Sequence, residues 1–173
     1  MSSTFDEEEP LNLPPVPASA QVAGLVVFLI VCYIAGYIGQ IATQPAIETW
    51  YAGLAKPAFT PPNSVFPIVW TILYGVMALA AWLVWRERNL KDGSLALTAF
   101  FAQLFLNVIW SWAFFGAESP VLGLVVIVAL LIAIAATTLF FFRVNRLAGL
   151  LMLPYLAWVA FATVLNASIV ALN

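Results

Sequence analysis

Five apolar runs follow one another along the chain, each long enough to cross a bilayer as a helix. They cover Val22 to Thr43, Ser64 to Trp85, Leu95 to Phe115, Pro120 to Phe142 and Leu147 to Leu172. A hydrocarbon core about 30 Å thick needs about 20 predominantly apolar helical residues. None of the runs alternates apolar and polar positions, so a barrel of strands about ten residues long does not fit. Brief polar breaks separate the later runs. Between the first and the second lies a much longer connection carrying Pro45, Pro57, Pro61 and Pro62. Those prolines remove backbone donors and restrict the residues before them, which favours a fixed path over a floppy tether. Asn63 or Ser64 then offers an N-cap for the second helix. Pro120 suits a first helical turn, whereas Pro154 lies inside the fifth run and is expected to bend it. The pattern predicts an all-α integral membrane protein. Residues 21–173 form a five-helix transmembrane bundle with a long aromatic and proline-rich loop between helices 1 and 2. Residues 1–20 read as a flexible, acidic, proline-rich tail.

Polar and aromatic residues inside the runs fall on shared faces. In the third run Gln103, Asn107 and Ser111 repeat at four-residue spacing, with Trp110 beside them. Phe66, Trp70 and Tyr74 do the same in the second run, and Tyr33 and Tyr37, with Gln40 a step further, in the first. The fifth run offers Tyr155, Trp158, Ala162 and Asn166. Two readings compete. Asn and Gln inside a span often join helix to helix, at about 0.6 kcal/mol each, and Trp50, Trp82 and Trp85 suit interfacial anchors. Alternatively, an apolar, aromatic-lined space with a few polar groups is how a small-molecule site looks. The co-occurrence of Trp70, Asn107 and Trp158 well inside their runs favours a site.

Composition narrows the chemistry. Of 173 residues 64% are hydrophobic and 8% charged, against about a quarter charged in soluble domains. There is no histidine, and the single cysteine, Cys32, lies within an apolar run. No metal site, no cofactor and no nucleic-acid partner is expected. The runs contain no nucleophile motif, phosphate loop or paired carboxylates, so no catalytic residue is nominated. No charge sits at mid-span to couple an ion gradient. A solvated charge is the default reading for Glu48, Lys56 and Glu118, and Glu118 keeps it. The acidic stretch "DEEE" before the first run is unlike a signal peptide, so that run should persist as a helix. Arg86, Arg88 and Lys91 follow the second run and Arg143 and Arg146 the fourth, with Lys56 alone on the opposite side. Basic loops stay in the cytoplasm, which places the N-terminus there too. Small residues at Ser94, Thr98 and Ala102 permit close helix approach and predict a homodimer. A similar ladder at Ala129, Ala133 and Thr137 fits packing within one subunit.

Three segments, "WYAGLAKPAFTPPNSVFPIVWTILYGVM", "AQLFLNVIWSWAFFG" and "LPYLAWVAFATVLN", occur in that order. Over residues 22 to 173 the chain resembles the translocator protein family, also called tryptophan-rich sensory proteins or peripheral-type benzodiazepine receptors. The resemblance implies a bacterial membrane protein with a ligand cavity under its first loop. Its ligands would be porphyrins and other tetrapyrroles or related hydrophobic molecules, in contact with membrane lipid. By the same resemblance Trp70, Asn107, Trp158 and Ala162 would line the cavity, and Trp50 and Tyr51 would belong to its lid. Phe66, Tyr74 and Gln103 join these as binding candidates from their shared faces. The end of the fifth run reads "LNASIVALN", without the aromatic and basic pair of the animal cholesterol motif, so sterol binding is expected to be weak at most. The implied function is a membrane receptor, sensor or carrier for tetrapyrroles. The alternative is a light-dependent, porphyrin-degrading activity in which Trp70 and Trp158 take part.

Overall fold

The computed structural model describes residues 16–87 and 92–173. Its elements are helices α1 (Ala18–Ile47), α2 (Trp50–Gly53), α3 (Val65–Arg86), α4 (Asp92–Ser111), α5 (Pro120–Val144) and α6 (Arg146–Leu172). A π-helical turn, Trp112–Gly116, continues α4. Five helices, α1, α3, α4 with its π turn, α5 and α6, are long and apolar enough to cross a membrane. The acidic "DEEE" stretch, Arg88 and Lys91 lie outside the described residues.

The bounds of the first helix differ most from expectation. The first helix begins at Ala18 rather than Val22 and runs on through Pro45 to Ile47. A proline in the last turn costs one backbone hydrogen bond, and the Thr49 hydroxyl donates to the Pro45 carbonyl at 2.9 Å, satisfying a group at the helix end. At α3 the N-cap position is Ser64, but its side chain makes no capping bond. Pro120 does occupy the first turn of α5, where the Ser119 side chain accepts from the Leu122 N–H at 3.2 Å. Pro154 lies within α6 without ending it.

The helices close into a ring in the order α1, α3, α6, α5, α4 and back to α1. Lipid gives no hydrophobic drive for association, so close packing must supply it. Small residues make the closeness possible: Ala78, Ala80, Ala81 and Ala96 are fully buried between helices. Larger side chains fill one end of the bundle, where Phe100 stacks on Phe141 at 5.9 Å. Large aliphatic residues such as Ile72, Ile132 and Val164 point outward.

One end of the ring gathers the start of α1, the end of α3 and the α5–α6 turn. There the Trp82 indole donates to the Gln21 carbonyl at 2.8 Å, and the Asn145 amide to Glu87 Oε1 at 2.6 Å. Arg86 lies 5.0 Å from the Trp82 ring centroid and Arg143 lies 5.8 Å from that of Phe140. The other end carries the α1–α3 connection, the α4–α5 turn and Asn173.

Candidate ligand cavity

A cavity of about 350 Å³ opens within the ring toward the Asn173 end. That volume falls in the range of about 300–1,000 Å³ typical of small-molecule sites. The second helix of the ring, α3, contributes Phe66, Trp70 and Tyr74 at four-residue spacing. Trp70 and Tyr74 lie 5.7 Å apart at an angle of 33°, and the edge of Trp70 meets Tyr155 at 6.2 Å. This leaves an indole on the wall held by rings on two sides. Gly36 lets α1 approach here, because a Cβ at that position would come within 2.6 Å of the Tyr74 ring.

The floor is a buried hydrogen-bond chain through three helices. The Tyr74 hydroxyl donates to Asn107 Oδ1 at 2.7 Å, and Asn107 Nδ2 donates to the Tyr155 hydroxyl at 3.0 Å. Tyr155 in turn donates to Gln103 Oε1 at 2.8 Å. Asn107 therefore both lines the cavity and ties α3, α4 and α6 together. Gln103 lies behind it, fully buried, and its Nε2 has no hydrogen-bond partner among the described residues.

The roof comes from α2 and the π turn. An α-helix would turn successive residues by about 100°, whereas the wider π turn shifts the register by one residue, a device frequent at functional sites. Its signature is the Ala117 N–H bonding the Trp112 carbonyl at 2.7 Å. Phe114 and Phe115 both reach the cavity as a result. Glu118, at φ 50°, then turns the chain toward α5 in the left-handed region. Tyr51 covers the Phe pair, at 6.2 Å from Phe114 and 5.6 Å from Phe115, and is itself buried. Burial raises the pKa of its phenol above the ordinary tyrosine value.

Of the nine residues singled out from sequence, six line this cavity: Tyr51, Phe66, Trp70, Tyr74, Asn107 and Ala162. The other three support them. Trp50 packs on Phe114 at 5.4 Å, Gln103 ends the hydrogen-bond chain, and Trp158 lies behind Phe66 at 5.8 Å. Sequence reasoning missed Phe114 and Phe115, whose signal was the aromatic pair in "WAFFG" at the end of a helix. For Lys56 a solvated charge is only the default reading from sequence. Lys56 Nζ instead donates to the Ala52 and Leu54 carbonyls at 3.3 and 3.0 Å and sits 4.6 Å over the Tyr51 ring.

Asn173 was overlooked as well. Its amide clamps the connection, accepting from the Ala55 N–H and donating to the Ala55 carbonyl, both at 3.0 Å. The same amide donates to the Ile169 carbonyl at 2.8 Å. No group of three or more His, Cys, Asp or Glu suited to a metal occurs among the described residues.

Comparison with known proteins fits this architecture. The sequence profile of the TspO/MBR family matches residues 28–172. The chain is 41% identical over 149 residues to the tryptophan-rich protein TspO of Archaeoglobus fulgidus, covering 86% of this chain and 96% of that protein. It is 39% identical over 138 residues to the tryptophan-rich sensory protein of Cereibacter sphaeroides, covering 78% and 85% respectively. It is also 42% identical over 119 residues to the human translocator protein, covering 68% and 70%. With a family match over nearly all of the helical bundle, the chain belongs to the TspO/MBR family.

Proposed function

We propose that this protein is a membrane receptor, sensor or carrier that holds a flat, largely apolar ligand of the tetrapyrrole class in the cavity between its helices. The observation that carries the reading is the cavity wall of Phe66, Trp70 and Tyr74 facing the roof of Tyr51, Phe114 and Phe115. Aromatic contacts of this kind add about 0.5–1.5 kcal/mol each beyond area burial. The names of the relatives, translocator and sensory protein, agree with binding and signalling roles. Catalysis has weaker support: Trp70 faces the cavity, but Trp158, the second tryptophan a photochemical role would use, lies behind Phe66.

Basic residues argue for an orientation with the N-terminus and the Arg86, Arg143 and Arg146 end in the cytoplasm. The cavity then opens in the opposite half of the membrane. Ser94, Thr98 and Ala102 lie on the exposed face of α4, where a second copy of the chain would pack in a homodimer.

The test is a titration of the protein in lipid nanodiscs with protoporphyrin IX in the dark, followed by tryptophan quenching. Saturable binding at one ligand per chain supports the proposal. Quenching that never saturates and matches empty nanodiscs doped with free tryptophan overturns it.

A further inference from the structure

The cavity has a side opening between α1 and α3. Tyr33, Tyr37, Gln40 and Gln44 on α1 and Thr71 on α3 line the cavity and are at the same time exposed on the outside of the bundle. Along α1 the four fall at spacings of four, three and four residues, forming one stripe about 16 Å long at 1.5 Å per residue. Beside it runs the lipid-facing stripe of Ile30, Ile34, Ile38 and Ile41. The narrow end of the opening is closed by Tyr33, whose hydroxyl donates to the Thr71 carbonyl at 3.2 Å.

Two observations give this opening a purpose. The roof is tied down by Asn173 on Ala55 and by Lys56 over Tyr51, and the side path is open without any movement of that roof. The mouth also holds unused hydrogen-bonding capacity. Gln40 Nε2 donates to Gln44 Oε1 at 2.8 Å. The Tyr37 hydroxyl, Gln40 Oε1 and Gln44 Nε2 make no bond to any described residue. Such groups are costly at the lipid-facing surface unless something meets them. All the residues around the mouth and the cavity are uncharged.

We infer that this mouth is a binding subsite that admits uncharged amphipathic molecules from the bilayer, hydrogen-bonding a hydroxyl, ester or amide head at Tyr37, Gln40 and Gln44 while the apolar part enters the cavity. The inference rests on the cavity being the ligand site. It also sets a preference within the proposed class. A tetrapyrrole with esterified or protonated side chains passes the neutral mouth more readily than one with ionised carboxylates.

The experiment has two arms, both in phosphatidylcholine vesicles. In the first, protoporphyrin IX and its dimethyl ester are titrated against wild-type protein and Gln40→Lys. Because Gln40 is on the surface, the substitution leaves the core untouched. A cation at the mouth should shift the ratio of the two affinities toward the free acid by about tenfold. An unchanged ratio with both compounds binding overturns the inference. The second arm needs no tetrapyrrole: a diazirine-bearing monoacylglycerol is photoactivated and its adducts are mapped by mass spectrometry. Saturable labelling at Tyr37, Gln40 and Gln44, reduced severalfold in Gln40→Leu/Gln44→Leu, supports the mouth. Unsaturable labelling spread equally over the lipid faces of α1 and α5 overturns it. If neither tetrapyrrole binds wild-type protein, the tetrapyrrole reading falls and the labelling arm alone decides on the mouth.

Discussion

Tyr155 holds two amides at once, accepting from Asn107 and donating to Gln103 in a fully buried position. Tyr155→Phe removes both bonds and strands Asn107 Nδ2 and Gln103 Oε1. In water-soluble proteins each buried group stranded this way costs about 1–3 kcal/mol. Interhelical bonds in membranes average nearer about 0.6 kcal/mol, because the unfolded reference also finds partners. The membrane figure governs here, so Tyr155→Phe should destabilise the bundle by about 1 kcal/mol, read by reversible unfolding in mixed detergent micelles. Tyr74→Phe should cost less, since it removes one bond rather than two and the freed Asn107 Oδ1 borders the cavity. Equal losses in the two variants would contradict the hub role of Tyr155. The four-residue spacings of Gln103 and Asn107 were legible in the sequence, as was their shared face. Which of the two readings applied was not, because spacing within one helix says nothing about the hydroxyls on the next. The structure gives Asn107 both positions: it joins the helices and lines the cavity.

Among the elements, the α1–α3 connection departs most from its sequence reading. Four prolines suggested a stiff loop, yet Pro45 is absorbed into α1 and Trp50–Gly53 form a short helix. The short helix is held by a tertiary contact that local propensity does not report, the packing of Trp50 and Tyr51 on the Phe114 and Phe115 rings, while the Pro45 carbonyl is met locally by the Thr49 hydroxyl four residues on. The π turn was invisible for a similar reason, since no residue pattern in "WAFFG" demands one. Asn173 is 118 residues from Ala55 in sequence, which puts its clamp beyond any local motif. Asn173→Ala should free the connection while leaving the transmembrane helices intact. Hydrogen exchange at the Ala55 amide should then accelerate by about tenfold, the loss of roughly 1.4 kcal/mol of local protection. Asn173→Asp keeps the acceptor for the Ala55 N–H but loses both donors, and should fall between Ala and wild type. Unchanged exchange in Asn173→Ala would show that Lys56 and Tyr51 hold the roof alone.

At the scale of the whole molecule, five apolar runs dictated five membrane helices, because lipid leaves no other way to satisfy the backbone of so apolar a chain. Their cyclic order was not legible, since contacts between non-consecutive helices depend on side-chain shape. Two properties of the assembly can be checked directly. In a Cys32→Ala background, Ala52→Cys should react with an impermeant thiol reagent added outside and Asn89→Cys should not; the reverse pattern would invert the orientation. Thr98→Leu/Ala102→Leu should shift detergent-solubilised protein toward monomer by light scattering, and an unchanged mass with helicity retained would remove α4 as the contact. The cavity itself is tested most directly by comparing protoporphyrin IX affinity in Trp70→Ala and Trp158→Ala. Trp70 lies on the wall, so its loss removes stacking surface, and affinity should drop by about tenfold, or 1.4 kcal/mol. Trp158 lies behind Phe66, so its loss should weaken binding by about threefold or less. An unchanged affinity in Trp70→Ala, with the fold preserved, would contradict the account and place the ligand elsewhere.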